Sequence, residues 1–244
     1  MNPKILRPAG KSRFVILCDH ASRQIPVELN QLGLPSAELA RHIAWDIGAA
    51  GVAEALSEIF DAPAVLSPAS RLVIDCNRHL DAADLIPEQS DGTVIPGNLN
   101  LAAESRALRI ERWFHPYHVA VESILVERES CGATSLVLSI HSMTDHLGGS
   151  QRPWQIAFSS DRDRTLVETM IKVLRESDDI EVGDNQPYSM EPAIDYSIPF
   201  HALRRNLPYL QVEFRQDQVQ DPTAQLRWAR RFADALVALP LPAN

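Results

Sequence analysis

The segment FVILCDH at residues 14–20 is a run of apolar residues that ends in an aspartate and a histidine. Two later segments have the same form, because SLVLSIH at 135–141 ends in His141 and YLQVE at 209–213 ends in Glu213. Short continuous apolar runs are typical of strands that are buried on both faces of a sheet. Side chains at the ends of such strands lie at the edge of the sheet, where α/β proteins bind ligands. The three segments therefore predict a sheet that places His20, His141 and Glu213 along one edge.

Between these strands the chain alternates strand-like and helix-like segments. Apolar spacing and prolines predict helices over residues 36–60, 101–128 (interrupted at Pro116), 162–176 and 222–239, the last followed by Pro240. Further strands are expected at 64–66, 71–76 and 155–158, a turn at 148–149, and polar loops at 79–100 and 185–199 that are candidate lids. This alternation predicts an α/β fold in which a mixed, mostly parallel sheet has helices on both faces. No repeat or linker divides the sequence, so residues 1–244 are expected to form a single domain.

Composition and charge exclude several classes of protein. The formal net charge of −9 argues against binding of nucleic acid, which favours a basic surface. No segment approaches the ~20 apolar residues of a membrane span, and no apolar segment precedes Phe14 as in a signal peptide. The cysteines Cys18, Cys76 and Cys131 are too few and too scattered for a disulfide framework. We therefore expect a cytoplasmic protein that acts on a small molecule and has no membrane partner, in an oligomeric state that the sequence leaves open.

The histidines at two strand ends predict a metal site. Imidazole nitrogens are common zinc ligands, and a catalytic zinc has three protein ligands and one open position. His20 and His141 are the first two candidates, and the alternative is that each is a partly buried histidine bonded to the backbone. Asp46 is the preferred third ligand, because a carboxylate within the apolar stretch AWDIG needs a partner. The competing candidates, each beside a strand end, are Asp19 and Asp75.

The third strand end carries the candidate base. Glu213 is placed where a carboxylate could take a proton from water beside the metal. His42 precedes Asp46 by one helical turn, and a role on the surface of the predicted helix is expected for it.

An Asn-Arg pair at the end of the predicted strand 71–76 suggests an anion-binding site. Arg78 can bind a carboxylate through two parallel hydrogen bonds, and Asn77 can supply a further donor. An arginine in a structural ion pair is the alternative. The other cations that could bind an anionic substrate are Arg71, Arg205 and Arg215.

Several segments distributed over nearly the whole chain match the pattern of one known family. They are CDHAS (18–22) with IP (25–26), HIAWDIGA (42–49), SRLVIDCNR (70–78), IP (86–87), DGTVIPGN (91–98), HSMTD (141–145), NQPY (185–188) and EFRQD (213–217). Together they resemble the N-formylglutamate amidohydrolase family, which is distantly similar to the zinc carboxypeptidases and their α/β fold around a mixed sheet.

The resemblance implies a metal-dependent amidohydrolase, with zinc or another divalent metal, that acts in amino-acid catabolism. Its substrate would be a small N-acyl amino acid, such as N-formylglutamate, whose amide bond it cleaves. Carried over by position, His20 and His141 would bind the metal, and Glu213 would activate water. The Asn77-Arg78 pair would bind the carboxylate of the substrate.

One position departs from the carboxypeptidase pattern, which has a glutamate ligand three residues after the first histidine. Here that position is Arg23, so the third ligand must come from elsewhere, and Asp46 is the expected residue. The departure keeps one alternative open, a non-catalytic or differently reacting carboxylate-binding protein on the same scaffold.

Overall fold

The protein is built around a seven-stranded mixed sheet, and the computed structural model describes residues 1–147, 149–177 and 179–239. The strands are β1 (Lys4–Leu6), β2 (Phe14–Cys18), β3 (Ala64–Leu66), β4 (Gln89–Ser90), β5 (Thr93–Val94), β6 (Leu136–Met143), β7 (His146–Leu147), β8 (Ser150–Gln151), β9 (Ile156–Ser159), β10 (Val182–Asp184) and β11 (Tyr209–Arg215). The order in the main sheet is β1-β3-β2-β6-β11-β9-β10, and β4-β5 and β7-β8 are separate hairpins. β3, β2, β6 and β11 are parallel to one another, whereas β1 and the β9-β10 pair run antiparallel to them. The predicted mixed, mostly parallel sheet is confirmed, while Gly148 of the predicted turn and Pro240 lie outside the described residues.

Helices cover both faces of this sheet, as predicted. They are α1 (Ser36–Leu39), α2 (Ala49–Phe60), α3 (Ala103–Arg109), α4 (His115–Ser130), α5 (Thr165–Arg175), α6 (Ser197–His201) and α7 (Pro222–Val237). α2, α5 and α7 bury apolar side chains against the face that presents Ile16, Leu138 and Val212. α4 and α6 pack against the other face, beside Leu17 and Val137. None of these helices, within the described residues, has the length and hydropathy that a transmembrane segment requires.

The alternation of side chains along the central strands positions polar groups at one edge. Side chains two residues apart in a strand point to the same face of the sheet. The face under α4 and α6 is apolar early in β6 and β11, at Val137 and Tyr209, and becomes polar further along, at His141 and Glu213. β6 and β11 pair in parallel register, so that Glu213 lies opposite His141. Two of the three strand ends chosen from the sequence are therefore direct neighbours.

The single helix predicted over residues 36–60 is wrong, because two helices with a loop between them occupy this segment. Gly48 precedes α2 with a φ of 83°, which lies in the left-handed region that favours glycine. A Cβ atom at this position would lie 2.1 Å from the Val219 carbonyl oxygen, so the close approach of the two segments also requires glycine. The break places Asp46 in the loop, where its backbone N–H donates to the His20 carbonyl oxygen at 3.0 Å.

The strand predicted at residues 71–76 is also wrong, because this segment forms turns. Leu72 and Ile74 are buried in a third apolar cluster, together with Trp113 and Phe114, away from the main sheet. A short run of buried apolar residues has the same composition in a strand and in a buried turn. Its apolar character therefore predicted burial correctly and secondary structure incorrectly.

The long polar segment at 79–100 packs into the same third cluster. It contains the β4-β5 hairpin and a short 3₁₀ helix at Pro96–Asn98, and its Leu85 and Ile95 are fully buried. The expectation of a lid over a binding site does not fit this packing, because the segment is anchored by buried side chains of the third apolar cluster.

The other predicted elements are present with adjusted ends. The segment 101–128 is α3, a π-helical stretch at Ile110–Phe114 and α4, with Pro116 in the first turn of α4. β1 and β10 were not predicted, because each has only three residues and includes a polar one, unlike the equally short but fully apolar β3. Strands this short carry too few residues for a period to be recognised, so only a continuous apolar run reveals them.

Two buried histidines on the α4 and α6 side of the sheet form a hydrogen-bonded pair. His118 and His201 are 5% and 0% exposed. His118 Nδ1 lies 2.9 Å from His201 Nε2, and His118 Nε2 lies 2.9 Å from the Cys76 carbonyl oxygen. Because a carbonyl oxygen can only accept, His118 donates from Nε2 and accepts at Nδ1. Burial lowers the pKa of His118 to about 4 and the pKa of His201 to about 2.

This pair predicts a loss of stability in acid. Both histidines stay neutral in the folded protein, whereas in the unfolded chain each binds a proton below its ordinary pKa of about 6.5. The free energy of unfolding should therefore fall as the pH decreases from about 6.5 towards about 4, where His118 also titrates in the folded protein. For each histidine, a difference of one between the pKa in the unfolded chain and the pKa in the folded protein corresponds to about 1.4 kcal/mol of this loss. Urea unfolding at neutral and at mildly acidic pH should show a smaller loss for H118Q than for the parent.

His115, whose side chain is 44% exposed on the same helix, supplies the matched control. H115Q should lose as much stability between the two pH values as the parent does. If H118Q and H115Q show the same pH dependence, the buried pair does not carry the acid sensitivity.

Candidate functional site

A cavity of about 410 Å³ opens at the carboxyl edge of the central strands. Every preferred metal ligand, base and anion-binding residue expected from the sequence lines this cavity except Arg205 and Arg215, and Arg205 instead pairs with Glu122 and Glu129. These lining residues are His20, Asp46, Arg71, Asn77, Arg78, His141 and Glu213. The fold therefore brings together side chains from three strand ends, the loop before α2 and the turns at 71–78.

Two histidines and an aspartate converge within the cavity. His20 Nδ1 lies 3.3 Å and His141 Nδ1 lies 2.9 Å from the same carboxylate oxygen, Asp46 Oδ2. The two imidazole rings are 5.1 Å apart between their centroids. One possible ligand atom from each of the three residues lies within 4.8 Å of the other two. This group is a candidate metal centre, and it has the ligand set that the sequence favoured.

The outer nitrogen atom of each histidine has its own partner. His20 Nε2 lies 2.8 Å from Asp75 Oδ1. His141 Nε2 lies 3.0 Å from the Ser139 hydroxyl and 3.4 Å from Asp19 Oδ2. Partners of this kind orient metal-binding histidines and fix the ring nitrogen that faces the metal. Asp19 and Asp75, the competing candidates for the third ligand, therefore contact the Nε2 atoms of the histidines, whereas Asp46 contacts the Nδ1 atoms.

Asp19 is held by two hydroxyl groups from the helices above the sheet. Tyr117 of α4 and Ser197 of α6 donate to Asp19 Oδ1 at 2.6 and 2.8 Å. Although burial opposes ionisation, the adjacent His141 and these contacts lower the pKa of Asp19 to about 2. Asp19 is therefore a fixed negative charge beside His141.

The charges around the three converging residues are matched. Burial opposes the ionisation of Asp46, yet His20 and His141 hold its pKa far below the ordinary value. Burial and the Arg71 guanidinium act against a charge on His20, but Asp75 and Asp46 raise its pKa. Burial also opposes a charge on His141, and Asp19 and Asp46 raise its pKa well above the ordinary value. The surrounding carboxylates therefore favour positive charge at the point where the three side chains meet.

Glu213 is a cavity residue whose carboxyl group is buried. Its Oε2 atom is buried and has no hydrogen-bond partner among the described residues. Burial raises the pKa of Glu213 to about 7, against the lowering effect of His141. A carboxyl group in this state is suited to accept a proton and to release it again.

The Asn77 side chain connects the turns at 71–78 to α6. Its Oδ1 accepts from the backbone N–H groups of Tyr196 and Ser197 at 3.0 and 2.9 Å, and its Nδ2 donates to Asp195 at 2.9 Å. One amide N–H remains for a ligand. The sequence suggested only the ligand-binding role, because the partners of Asn77 lie far away along the chain.

Arg71 and Arg78 bring positive charge to the cavity lining. Arg71 donates from Nε and Nη2 to Asp75 Oδ2 at 3.1 and 2.7 Å, and its Nη1 lies 3.5 Å from Asp46 Oδ1. Arg78 donates from Nε to Asp84 and from Nη1 to a backbone carbonyl, which leaves Nη2 for a ligand. Arg71 is thus paired with the two carboxylates that contact His20. Arg78 is the more available of the two arginines for binding a ligand.

Arg215 occupies a different place from the one expected. Its guanidinium donates to the Asp217 carboxylate and to the carbonyl oxygens of Arg152 and Pro153. These contacts connect the end of β11 to the segment before β9, outside the cavity lining. The described contacts of Arg215 are therefore those of a scaffold residue.

Sequence reasoning missed several residues that line the cavity. His42 lies in the loop after α1 instead of on a helix surface, with Nε2 3.5 Å from Asp91 Oδ2. The segment 187–195, part of the second predicted loop, supplies Tyr188, Ile194 and Asp195. The segments HIAWDIGA and NQPY held a signal for His42 and Tyr188, but no local pattern indicates Ile194 or Asp195.

A mixed α/β sheet that gathers histidines, carboxyl groups and an arginine in one cavity at its carboxyl edge is typical of an enzyme that uses acid–base chemistry. The family model described as N-formylglutamate amidohydrolase matches residues 12–219. The chain belongs to this family of hydrolases.

Solved structures share the fold over almost the whole chain. A gene product of Agrobacterium tumefaciens is 33% identical with a TM-score of 0.92, and the match covers 97% of this chain and 95% of that one. An N-formylglutamate amidohydrolase from Ralstonia eutropha is 19% identical with a TM-score of 0.65, over 96% of this chain and 98% of that one. No curated protein sequence matches the chain at a significant level.

The hydrogen bonds of Asn77 predict a structural cost for its removal. N77A should lower the free energy of unfolding by about 1–3 kcal/mol, because a buried N–H group, a partly buried N–H group and a carboxylate each lose a hydrogen-bond partner. D84A removes a carboxylate that is 60% exposed and pairs with the neighbouring Arg78, and it should cost less than about 1 kcal/mol. Urea unfolding followed by circular dichroism measures both. Equal losses for the two variants would show that the Asn77 contacts are not needed for the fold.

Proposed function

We propose that the protein is a metal-dependent amidohydrolase that cleaves the amide bond of a small N-acyl amino acid. N-formylglutamate, after which the family is named, is one member of that substrate class. The observation that supports the proposal most is the convergence of His20 Nδ1, His141 Nδ1 and Asp46 Oδ2 in a cavity that Glu213 also lines.

The donor set fits a divalent metal, and zinc in particular. Two imidazole nitrogens and one carboxylate oxygen are ligand types of catalytic zinc sites, which keep a further position open. Each histidine also has a carboxylate or hydroxyl partner at its outer nitrogen, as metal-binding histidines usually do. His20, His141 and Asp46 are therefore the residues that would hold the ion.

A divalent metal in such a site supplies Lewis acidity, which polarises an amide carbonyl and makes water easier to deprotonate. Glu213 would take the proton from the attacking water, because it lines the cavity and its Oε2 atom has no hydrogen-bond partner among the described residues. The same carboxyl group would then give the proton to the departing amine. The C–N bond breaks, the water oxygen joins the acyl carbon, and a carboxylic acid and a free amino acid leave.

Arg78 would bind the carboxylate of the substrate. It lines the cavity, its Nη2 is available, and the neighbouring Asn77 has one amide N–H to add. Arg71, which lies close to Asp46, would approach the substrate nearer to the histidines. A carboxylate fixed in this way holds the amide bond in one orientation, which lowers the entropic part of the barrier.

Removal of a proposed ligand should abolish tight metal binding. H20A should bind zinc more than about 100-fold more weakly than the parent, because one of the protein ligands is lost. H42A removes another histidine of the same cavity, outside the converging group, and should bind zinc like the parent. Competition with a chromophoric chelator measures both affinities in variants shown to be folded by circular dichroism. Parental affinity in H20A would refute the ligand assignment.

The role of Glu213 can be separated from metal binding. E213Q should keep the metal and lose turnover of N-acyl amino acids by about 10²–10⁴-fold, which is the usual contribution of a general base. Loss of the metal together with activity would make Glu213 a ligand instead. If the metal-loaded parent hydrolyses no N-acyl amino acid, a carboxylate-binding protein on this scaffold becomes the better assignment.

A further inference from the structure

One wall of the cavity is apolar and open to solvent. Leu147, Tyr188 and Ile194 are 43%, 46% and 45% exposed, although large apolar side chains are usually buried. All three line the cavity, together with the buried Met143. They come from two segments, the one that continues β6 into the β7-β8 hairpin and the one between β10 and α6. Exposed apolar side chains grouped around a cavity mark a surface that a ligand covers.

Few cations of the lining are free to bind a carboxylate. The described lining contains the guanidinium groups of Arg71 and Arg78, the imidazoles of His20, His42 and His141, and the carboxyl groups of Asp46, Glu191, Asp195 and Glu213. His20 and His141 are the proposed metal ligands, and His42 Nε2 lies 3.5 Å from Asp91 Oδ2. Arg71 already donates to Asp75, and Arg78 already donates to Asp84. Once Arg78 binds the α-carboxylate of a substrate, the described lining offers no uncommitted guanidinium or ammonium group for a second carboxylate.

A third arginine lies close to the apolar wall but is committed to it. Arg152 is 6% exposed, and its guanidinium lies 5.0 Å from the centroid of the Tyr188 ring. It donates to the Tyr188 hydroxyl at 2.9 Å and contacts the Thr144 carbonyl oxygen at 3.4 Å. These contacts hold Tyr188 in place and use the guanidinium edge that a carboxylate would need.

A second carboxylate at this wall would therefore meet apolar carbon and the carboxyl groups of Glu191 and Asp195. Transfer of a charged group from water to such a place is unfavourable unless a cation pairs with it. An aliphatic or aromatic group at the same place would cover exposed apolar surface, which is favourable. Both effects favour an uncharged, apolar group at this wall over a carboxylate.

We infer that the preferred substrates are N-acyl amino acids with an uncharged, apolar side chain, such as leucine or phenylalanine, rather than N-acylglutamate. Leu147 and Ile194 contact that side chain, and Tyr188 covers it. The inference rests on the proposed function, because the cavity must bind N-acyl amino acids through their α-carboxylate.

Hydrolysis of the N-formyl derivatives of leucine, phenylalanine, alanine and glutamate by zinc-loaded protein tests this inference. kcat/KM for the leucine derivative should exceed the values for alanine and glutamate by about 10-fold or more, as expected from differences of a few methylene groups in an apolar pocket. Calorimetric binding of the same compounds to E213Q protein measures the preference without turnover. Best hydrolysis of the glutamate derivative would overturn the inference and leave the proposed function intact. Absence of all hydrolysis would refute the proposed function, whereas tighter binding of the glutamate derivative than of the leucine derivative to E213Q would overturn the inference by itself.

Variants of the apolar wall test which residues make the contact. I194T and L147N should each lower kcat/KM for the leucine derivative by about 10-fold and change the alanine derivative little. V119T makes a similar change at a side chain that is 61% exposed on α4, away from the cavity, and should leave both values at the parental level. I194K supplies the missing cation and should raise the ratio of glutamate to leucine turnover. Equal losses for the leucine and alanine derivatives in I194T and L147N would overturn the assigned contacts.

Discussion

The Asp46 carboxylate is the group on which the arrangement of the site depends. Its Oδ2 atom lies within 3.3 Å of both histidine Nδ1 atoms and of the Ser142 backbone N–H, and Oδ1 faces Arg71 at 3.5 Å. One carboxylate that is 4% exposed thus connects the ends of β2 and β6 with the loop before α2 and the turns at 71–78. A buried carboxylate without such partners would be strongly destabilising. Packing of these segments therefore requires that their buried charges be paired. The contacts that form the site thus also stabilise the fold.

The pairing of opposite charges continues beyond Asp46, because each histidine contacts one further carboxylate. Asp75 faces both Arg71 and His20, and Asp19 stands beside His141 under the hydroxyl groups of two helices. Removing any member of such a network leaves its partners unpaired in the interior, so the members constrain one another. Two buried carboxyl oxygens of this group, Glu213 Oε2 and Asp19 Oδ2, have no hydrogen-bond partner among the described residues. Asp19 Oδ2 still lies 3.4 Å from His141 Nε2, whereas Glu213 lines the cavity. An unsatisfied buried group beside a cavity is expected where a reaction, and not stability, determines the residue.

The sequence predicted the parts of the site that the sheet positions. Apolar runs with polar ends follow from burial of strands on both faces, so His20, His141 and Glu213 could be found from local sequence. The same logic failed at residues 71–76, where an equally apolar run is buried in turns. The position of Asp46 depends on the loop before Gly48, whose conformation is set by contact with the distant Val219. The contacts of Asn77 with Tyr196 and Ser197 are likewise long-range, and one sequence gives no local sign of them.

The side chains proposed for the reaction and those proposed for substrate specificity come from different parts of the fold. The converging side chains are fixed by buried charge and strand register, so this part of the cavity has little freedom to vary. The exposed residues of the apolar wall come from the segments at 144–147 and 187–194, which lie outside the pairing of β6 with β11 and tolerate change more easily. The formal net charge of −9 acts in the same direction as that wall, because it opposes the approach of each additional negative charge on a ligand. Arg78 can compensate one carboxylate, and the described lining offers no uncommitted guanidinium or ammonium group for the second charge of a dianion.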